Sequence, residues 1–222
     1  MGKLIVIEGL DGSGKSTQLE LLCKNLTAAG IDNRTVSFPD YNENSSALVK
    51  MYLAGEFGKQ AGDVNAYAAS LFYAVDRFAS YAKHWKDYYL GGGAVISGRY
   101  VTSNAVHQTA KLPENEWDEY LSWLYSLEYG KVGIPKPDLV IFLDMPAELS
   151  KRLLEKRYGG DEDKKDIHEK DIIYQQNCRK AALYNVQHAG WRVISCAEGD
   201  RIRSVEEIAA DVLAAAMEVL AD

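Results

Sequence analysis

Five short apolar or β-branched runs punctuate the chain: Leu4-Ile5-Val6-Ile7, Thr35-Val36-Ser37-Phe38, Ala94-Val95-Ile96-Ser97, Leu139-Val140-Ile141-Phe142-Leu143 and Arg192-Val193-Ile194-Ser195. Three of them are almost unbroken apolar stretches, the pattern of strands that meet a packed layer on both faces. Between the runs, apolar residues recur at helical spacing. The order is therefore β-α-β-α, which predicts an α/β fold: a doubly wound, five-stranded parallel sheet with helices on both faces.

The clearest helix is the last one. Ser204 with Glu207 three residues later forms a capping box, and Val205, Ile208, Ala209, Val212, Leu213 and Ala216 follow on one face. The segment from Asn65 to Ala82 differs, because apolar and aromatic residues surround much of its circumference. Such a helix is either central to the core or covered by another subunit, and a homodimer is expected on that ground. The polar stretch from Tyr158 to Lys165 reads as a mobile loop inside a domain. With no repeat and no long Pro/Ser/Gly linker, residues 1–222 read as one domain with a lid around 152–168.

Composition narrows the partners. The 222 residues carry 25 Lys+Arg against 32 Asp+Glu, a formal net charge of −7. A general nucleic-acid or membrane-surface binder needs a net basic face, so neither partner is expected and any phosphate site must be local. The run from Tyr81 to Tyr89 mixes aromatic and basic residues, yet reads as a packed helix in this acidic chain. Cys23, Cys178 and Cys196 are an odd set without metal-ligand spacing, and His84, His107, His168 and His188 are dispersed. Reduced thiols in a cytoplasmic protein without a zinc site are the expectation. The apolar start is too short for a signal or a membrane span.

The chemistry enters at the first strand-to-helix junction. Gly9-Leu10-Asp11-Gly12-Ser13-Gly14-Lys15-Ser16 matches G-x-x-x-x-G-K-[ST] directly after an apolar strand and before a helical pattern from Gln18 to Ala29. Glycines there let successive N–H groups curl toward phosphate oxygens, and the helix adds its positive end. Gly9, Asp11, Gly12, Ser13, Gly14, Lys15, Ser16 and Thr17 are the expected ATP-binding residues. Lys15 is expected to reach the terminal phosphates, and Ser16 to ligate Mg²⁺. Such loops serve GTPases, motor ATPases and small-molecule kinases alike. An Asn-Lys-x-Asp motif and the protein-kinase signatures are missing from the sequence, and the chain is short for a motor. A compact P-loop kinase of a small acceptor remains.

The content and order of several segments resemble the thymidylate kinases, a family of P-loop nucleoside monophosphate kinases. These are Ile7 through Gln18, Phe38-Pro39, Leu71 through Phe78, Arg99-Tyr100 with Ser103-Asn104, and Pro137-Asp138-Leu139 through Asp144. The resemblance implies a P-loop NTPase fold of the nucleotide-kinase type and transfer of the γ-phosphoryl of MgATP to dTMP, giving dTDP. It also implies that Tyr73 stacks on thymine while Arg77, one helical turn on, donates to a base carbonyl. Arg99, after the third strand, would hold the acceptor monophosphate, Asn104 would read the pyrimidine, and Asp11 would take the sugar 3′-hydroxyl. Phe38, Ser103, His107 and Glu169 complete the implied acceptor site. Because the position used by some members for a catalytic arginine is Gly12 here, the lid arginines Arg157 and then Arg152 are the implied catalytic cations.

Two departures bear on rate and acceptor choice. The family commonly has Asp before Arg-Tyr, where this chain has Gly98, and Asp144 is the expected substitute near the metal. An arginine commonly follows Phe-Pro-x, and here that place is Tyr41. Two rival readings therefore stand beside dTMP: a kinase of another deoxynucleotide or deoxynucleoside, and a catalytically impaired nucleotide-binding regulator.

Overall fold

The computed structural model describes residues 1–60, 62–158 and 172–221, without the side chains at 151, 154–158, 172 and 173. In chain order, β1 (Lys3–Gly9) leads into α1 (Lys15–Ala28), β2 (Asn33–Ser37), α2 (Ala47–Leu53) and α3 (Ala66–Ser80). A π-helical turn (Tyr81–Trp85) joins α3 to α4 (Lys86–Leu90), followed by β3 (Ala94–Gly98), α5 (Val101–His107) and α6 (Trp117–Tyr125). A second π-helical stretch (Ser126–Val132) precedes β4 (Leu139–Asp144), α7 (Ala147–Tyr158) and α8 (Ile172–Ala189). Then come β5 (Arg192–Ser195), the short pair β6 (Ala197–Glu198) and β7 (Arg201–Ile202), and α9 (Val205–Leu220).

The first five strands form one parallel sheet in the order β2-β3-β1-β4-β5, as the alternation of patterns predicts. The nearly unbroken apolar runs occupy its centre, and the half-polar β2 and β5 lie at the edges. Alternation along β1 divides the core. Leu4 and Val6 face one layer with Tyr100, Trp85 and Tyr120, whereas Ile5 and Ile7 face the other with Leu22, Leu26 and Val212. Each of these four side chains is fully buried, worth about 1.5–3 kcal/mol apiece in removed apolar surface. The β6–β7 hairpin is antiparallel and was not expected from the sequence.

Helix boundaries follow their caps. Ser204 accepts from the Glu207 amide at 3.1 Å while the Glu207 carboxylate accepts from the Ser204 amide at 2.6 Å, so α9 starts where its capping box sits. Asn65 caps α3 by accepting from the Ala68 amide at 2.8 Å. The inward face of α3 is small and polar (Ala69, Ser70, Ala74, Asp76, Arg77), while the larger Leu71, Val75 and Phe78 are 46%, 54% and 49% exposed. Its apolar circumference thus comes from an unpartnered outer face. No helix among the described residues is long and apolar enough to cross a membrane.

Candidate active site

The carboxyl ends of β1 and β3 are adjacent, because the two strands pair directly. That adjacency places the loop after Gly9 beside Arg99. Within the loop Gly12 and Gly14 have φ of 78° and 87°, a left-handed backbone that side chains disfavour. A Cβ on Gly9 would lie 2.4 Å from Ser13 Oγ and 3.1 Å from the Leu143 carbonyl, so only glycine lets the loop fold this closely against β4. Gly14 caps α1 without a side-chain acceptor, and the first turn of α1 has no acidic residue. Its amides and positive end are thereby left for an anion. Lys15 Nζ donates to the Gly9 and Leu10 carbonyls at 2.7 and 2.8 Å, which fixes the ammonium inside the curl of the loop. Ser16 and Thr17 are exposed, and the buried Ser13 Oγ has no hydrogen-bond partner.

Asp11 links this loop to the acceptor side. Its carboxylate accepts from Arg99 Nη2 at 2.7 Å and lies 3.8 Å from Lys15 Nζ. Burial would raise the Asp11 carboxyl, but the charges of Arg99 and Lys15 outweigh it and hold the group well below the usual carboxylate range. Arg99 has φ 68°, and residues other than glycine stay in that region only where the surroundings enforce it, at about 1–3 kcal/mol. Here Ser97 Oγ donates to the Arg99 carbonyl at 2.6 Å and the side chain is held by Asp11. Arg99 Nη1 also meets His107 Nε2 at 3.1 Å. A guanidinium can only donate, so Nε2 accepts and the His107 proton sits on Nδ1.

A cavity opens beside this cluster. The expected residues Asp11, Phe38, Tyr73, Arg77, Arg99, Ser103, Asn104 and His107 all line it, as does Tyr41, which is 56% exposed. Tyr73 stands edge-on to the Tyr52 ring, with centroids 6.4 Å apart. Several of these side chains have partners that the sequence did not disclose. Arg77 is buried and paired with Glu128: Nε donates to Oε2 at 3.2 Å, Nη2 donates to Oε1, and Nη1 reaches the Tyr100 carbonyl at 3.3 Å. Ser103 donates to Glu8 at 2.7 Å, beside Thr102 at 2.6 Å. Asn104 Nδ2 reaches the Ser70 carbonyl at 3.5 Å.

Two further residues were missed by sequence reasoning. Glu128 sits 51 positions from Arg77 with no motif around it. Gln108 is buried, lines the cavity, and its Oε1 has no hydrogen-bond partner. It follows His107 directly, so continuing the face of α5 by one turn from Asn104 would have pointed to it.

Other expected residues lie apart from the cavity. Asp144, at the end of β4, accepts from Arg179 of α8 at 3.2 and 3.3 Å. Among the described residues no group of three or more His, Cys, Asp or Glu could hold a metal alone. Arg152 is exposed on α7, the Arg157 side chain lies outside the described residues, and so do Glu169 and most of the expected lid. Gly98 could carry a side chain at little cost, since its Cβ would meet only the end of Leu19 at 2.9 Å.

Comparison with known proteins bears on the same residues. A family model described as thymidylate kinase matches residues 7–208. The thymidylate kinase of Mycobacterium tuberculosis is 36% identical over 191 residues, covering 85% of this chain and 87% of its own. A probable thymidylate kinase of Pyrobaculum aerophilum is 29% identical over 94% of this chain and 93% of its own. The solved structure of the thymidylate kinase from Candida albicans superposes with a TM-score of 0.74 over 99% of this chain and 93% of that one, at 22% identity, a likeness of fold.

Proposed function

The chain belongs to the thymidylate kinase family, as an ATP-dependent kinase of dTMP, and from that premise we propose how its own residues carry the transfer. The bond between the γ-phosphorus and the β–γ bridging oxygen of ATP breaks, ADP departs, and an oxygen of the 5′-phosphate of dTMP takes the phosphoryl group, giving dTDP. The protein forms no covalent intermediate, and its contribution is alignment and charge neutralisation. The observation that carries this reading is the Lys15–Asp11–Arg99 cluster, which sets a phosphate loop and an acceptor-side guanidinium side by side.

Gly9 through Thr17 hold the ATP phosphates, with the uncapped α1 amides and Lys15 as donors. Arg99 holds the acceptor phosphate, and Asp11 both orients Arg99 and is placed for the sugar hydroxyl. Tyr73 stacks on the base, Phe38 walls the pocket, and Asn104 with the orphaned Gln108 Oε1 reads the base edge. His107, held toward Arg99, borders the sugar. Arg77 shows two N–H groups not spent on Glu128 or Tyr100, which suits donation to a base carbonyl. Arg157, then Arg152, supply the cation of a lid around 152–168, with Glu169 near the acceptor sugar, and residues 1–222 work as one domain.

Mg²⁺ fits the oxygen donors present. Ser16 offers an exposed hydroxyl in the first turn of α1, and Asp144 a carboxylate that Arg179 shares. Phosphate oxygens of ATP would supply the remaining donors, which is the usual manner of Mg²⁺ binding. When bound, the ion neutralises charge on the transferring phosphates. The outer face of α3 is proposed as a homodimer interface, and a cytoplasmic location is proposed in keeping with the three free thiols.

A coupled ADP-release assay across nucleosides and nucleoside monophosphates tests the acceptor. Preference for dTMP is expected. Equal turnover of several acceptors, or ATP binding without turnover on any, would sink the assignment in favour of the two rival readings.

A further inference from the structure

A second cavity lies at the amino end of β4, on the sheet edge opposite the phosphate loop. The second π-helical stretch, the end of α8 and the first residues of β4 enclose it. Its walls are aromatic. Tyr125 and Tyr129 stack with centroids 5.6 Å apart and planes 13° from parallel, and Trp191 adds a largely buried indole. At its rim Lys136 is an exposed cation, His188 stacks on the Tyr184 ring with centroids 3.9 Å apart, and the exposed Asp138 carboxylate accepts from the Leu4 amide at 2.7 Å.

Aromatic walls offer faces to a flat ring, and a lysine at the mouth offers a charge to an acidic substituent. We propose that this cavity is a second small-molecule site, for a planar aromatic anion, and that its occupancy alters the acceptor cavity. Two connections carry the effect. Glu128 is the residue before Tyr129 on the π-helical stretch, and it holds Arg77 in the acceptor cavity. Thr102 lines the second cavity and shares the Glu8 carboxylate with Ser103, which lines the first. A ligand that shifts Tyr129 or Thr102 therefore acts on Arg77 and on α5. The proposed effect on acceptor binding rests on the dTMP reading, whereas the site itself does not.

The probe is 8-anilinonaphthalene-1-sulfonate, titrated by fluorescence into the full chain both without dTMP and with dTMP at saturation. Saturable binding is expected, at least ten-fold weaker in Lys136→Glu and in Ala189→Phe, which plugs the mouth from the exposed end of α8. The probe is also expected to change the KM for dTMP at least two-fold in the parent and not in Ala189→Phe. Equal binding by parent and both variants, or displacement by dTMP, overturns the site. Binding with an unchanged KM overturns the coupling. A parent that neither binds nor phosphorylates dTMP, yet still binds the probe, faults the acceptor reading alone.

Discussion

Arg77 and Glu128 form an ion pair with almost no solvent contact, the arginine 1% and the glutamate 0% exposed, between α3 and the second π-helical stretch. Burial disfavours the charge on Arg77, but the Glu128 carboxylate outweighs it and holds the guanidinium above its ordinary value. Removing one partner of such a pair leaves an uncompensated buried charge, which costs about 3–5 kcal/mol. Glu128→Ala is therefore expected to lower the urea midpoint strongly. Replacing both, as Arg77→Met with Glu128→Leu, is expected to recover most of that stability while leaving dTMP binding impaired. Urea unfolding together with the KM for dTMP separates the two effects. Recovery of both stability and KM in the double variant would show that Arg77 has no role in the acceptor site.

Gln108 makes the opposite trade. Its Oε1 is buried without a partner, a cost that the folded protein bears on its own. Gln108→Leu is expected to leave stability unchanged or slightly higher, and to raise the KM for dTMP about ten-fold, the worth of one buried hydrogen bond. Steady-state kinetics beside thermal unfolding gives both numbers. A lower melting temperature with an unchanged KM would make Gln108 a packing residue.

Lys15 is the donor-side counterpart. Lys15→Met removes a cation that the loop carbonyls hold in place, with little effect on the core. Loss of one preorganised donor to a developing charge costs about 10²–10³ in kcat. The expected result is that loss with native unfolding behaviour, read from single-turnover rates at saturating ATP and dTMP.

What the sequence disclosed, and what it hid, follows from range. The buried strands were legible because each is an unbroken run of neighbours, and the phosphate loop because all its residues are consecutive. The α9 cap was legible because Ser204 and Glu207 are three apart. The Arg77–Glu128 pair and the Ser103–Glu8 bond were not, since 51 and 95 positions separate their partners and no local pattern marks either carboxylate. Nor does any local pattern mark the φ of 68° at Arg99, which the surrounding bonds enforce. Tyr73, Asn104 and His107 were expected in the acceptor site from the family resemblance, whereas Gln108, one helical turn beyond Asn104, was overlooked because the resemblance does not mark it.

Lys111 gives a pH signature away from the chemistry. Its ammonium donates to Tyr52 Oη at 2.7 Å and to the Val64 carbonyl at 3.1 Å, tying the turn after α5 to α2 and to the segment before α3. Burial lowers its pKa from 10.5 to about 8. Above pH 8 the folded state has released this proton while the unfolded chain keeps it up to about 10.4, so the unfolded state binds more protons. The Lys111 contribution to stability therefore rises with pH between about 8 and 10, by on the order of 1–2 kcal/mol across that interval. Denaturant unfolding of the parent and of Lys111→Met at pH 8.0 and 9.5 isolates it as a difference of differences. Parallel pH slopes for the two proteins would show that Lys111 titrates alike in both states.

The outer face of α3 bears on assembly. Leu71, Val75 and Phe78 fall at i, i+4 and i+7, so they form one stripe, and about half of each side chain is exposed. Other faces of the same helix carry Tyr73 and Arg77 into the acceptor cavity wall. A partner seated on the stripe would thus brace the helix that presents Tyr73 and Arg77 to the base. Val75→Asp places a charge in the middle of the stripe, where water already reaches it, so the monomer fold has no reason to suffer. If the stripe is an interface, the variant is expected to shift from a dimer to a 24.7 kDa species in light scattering at micromolar concentration, and to lose affinity for dTMP more than for ATP. A parent that already runs as a 24.7 kDa species would remove the interface. A dimer that survives Val75→Asp would move it to another face.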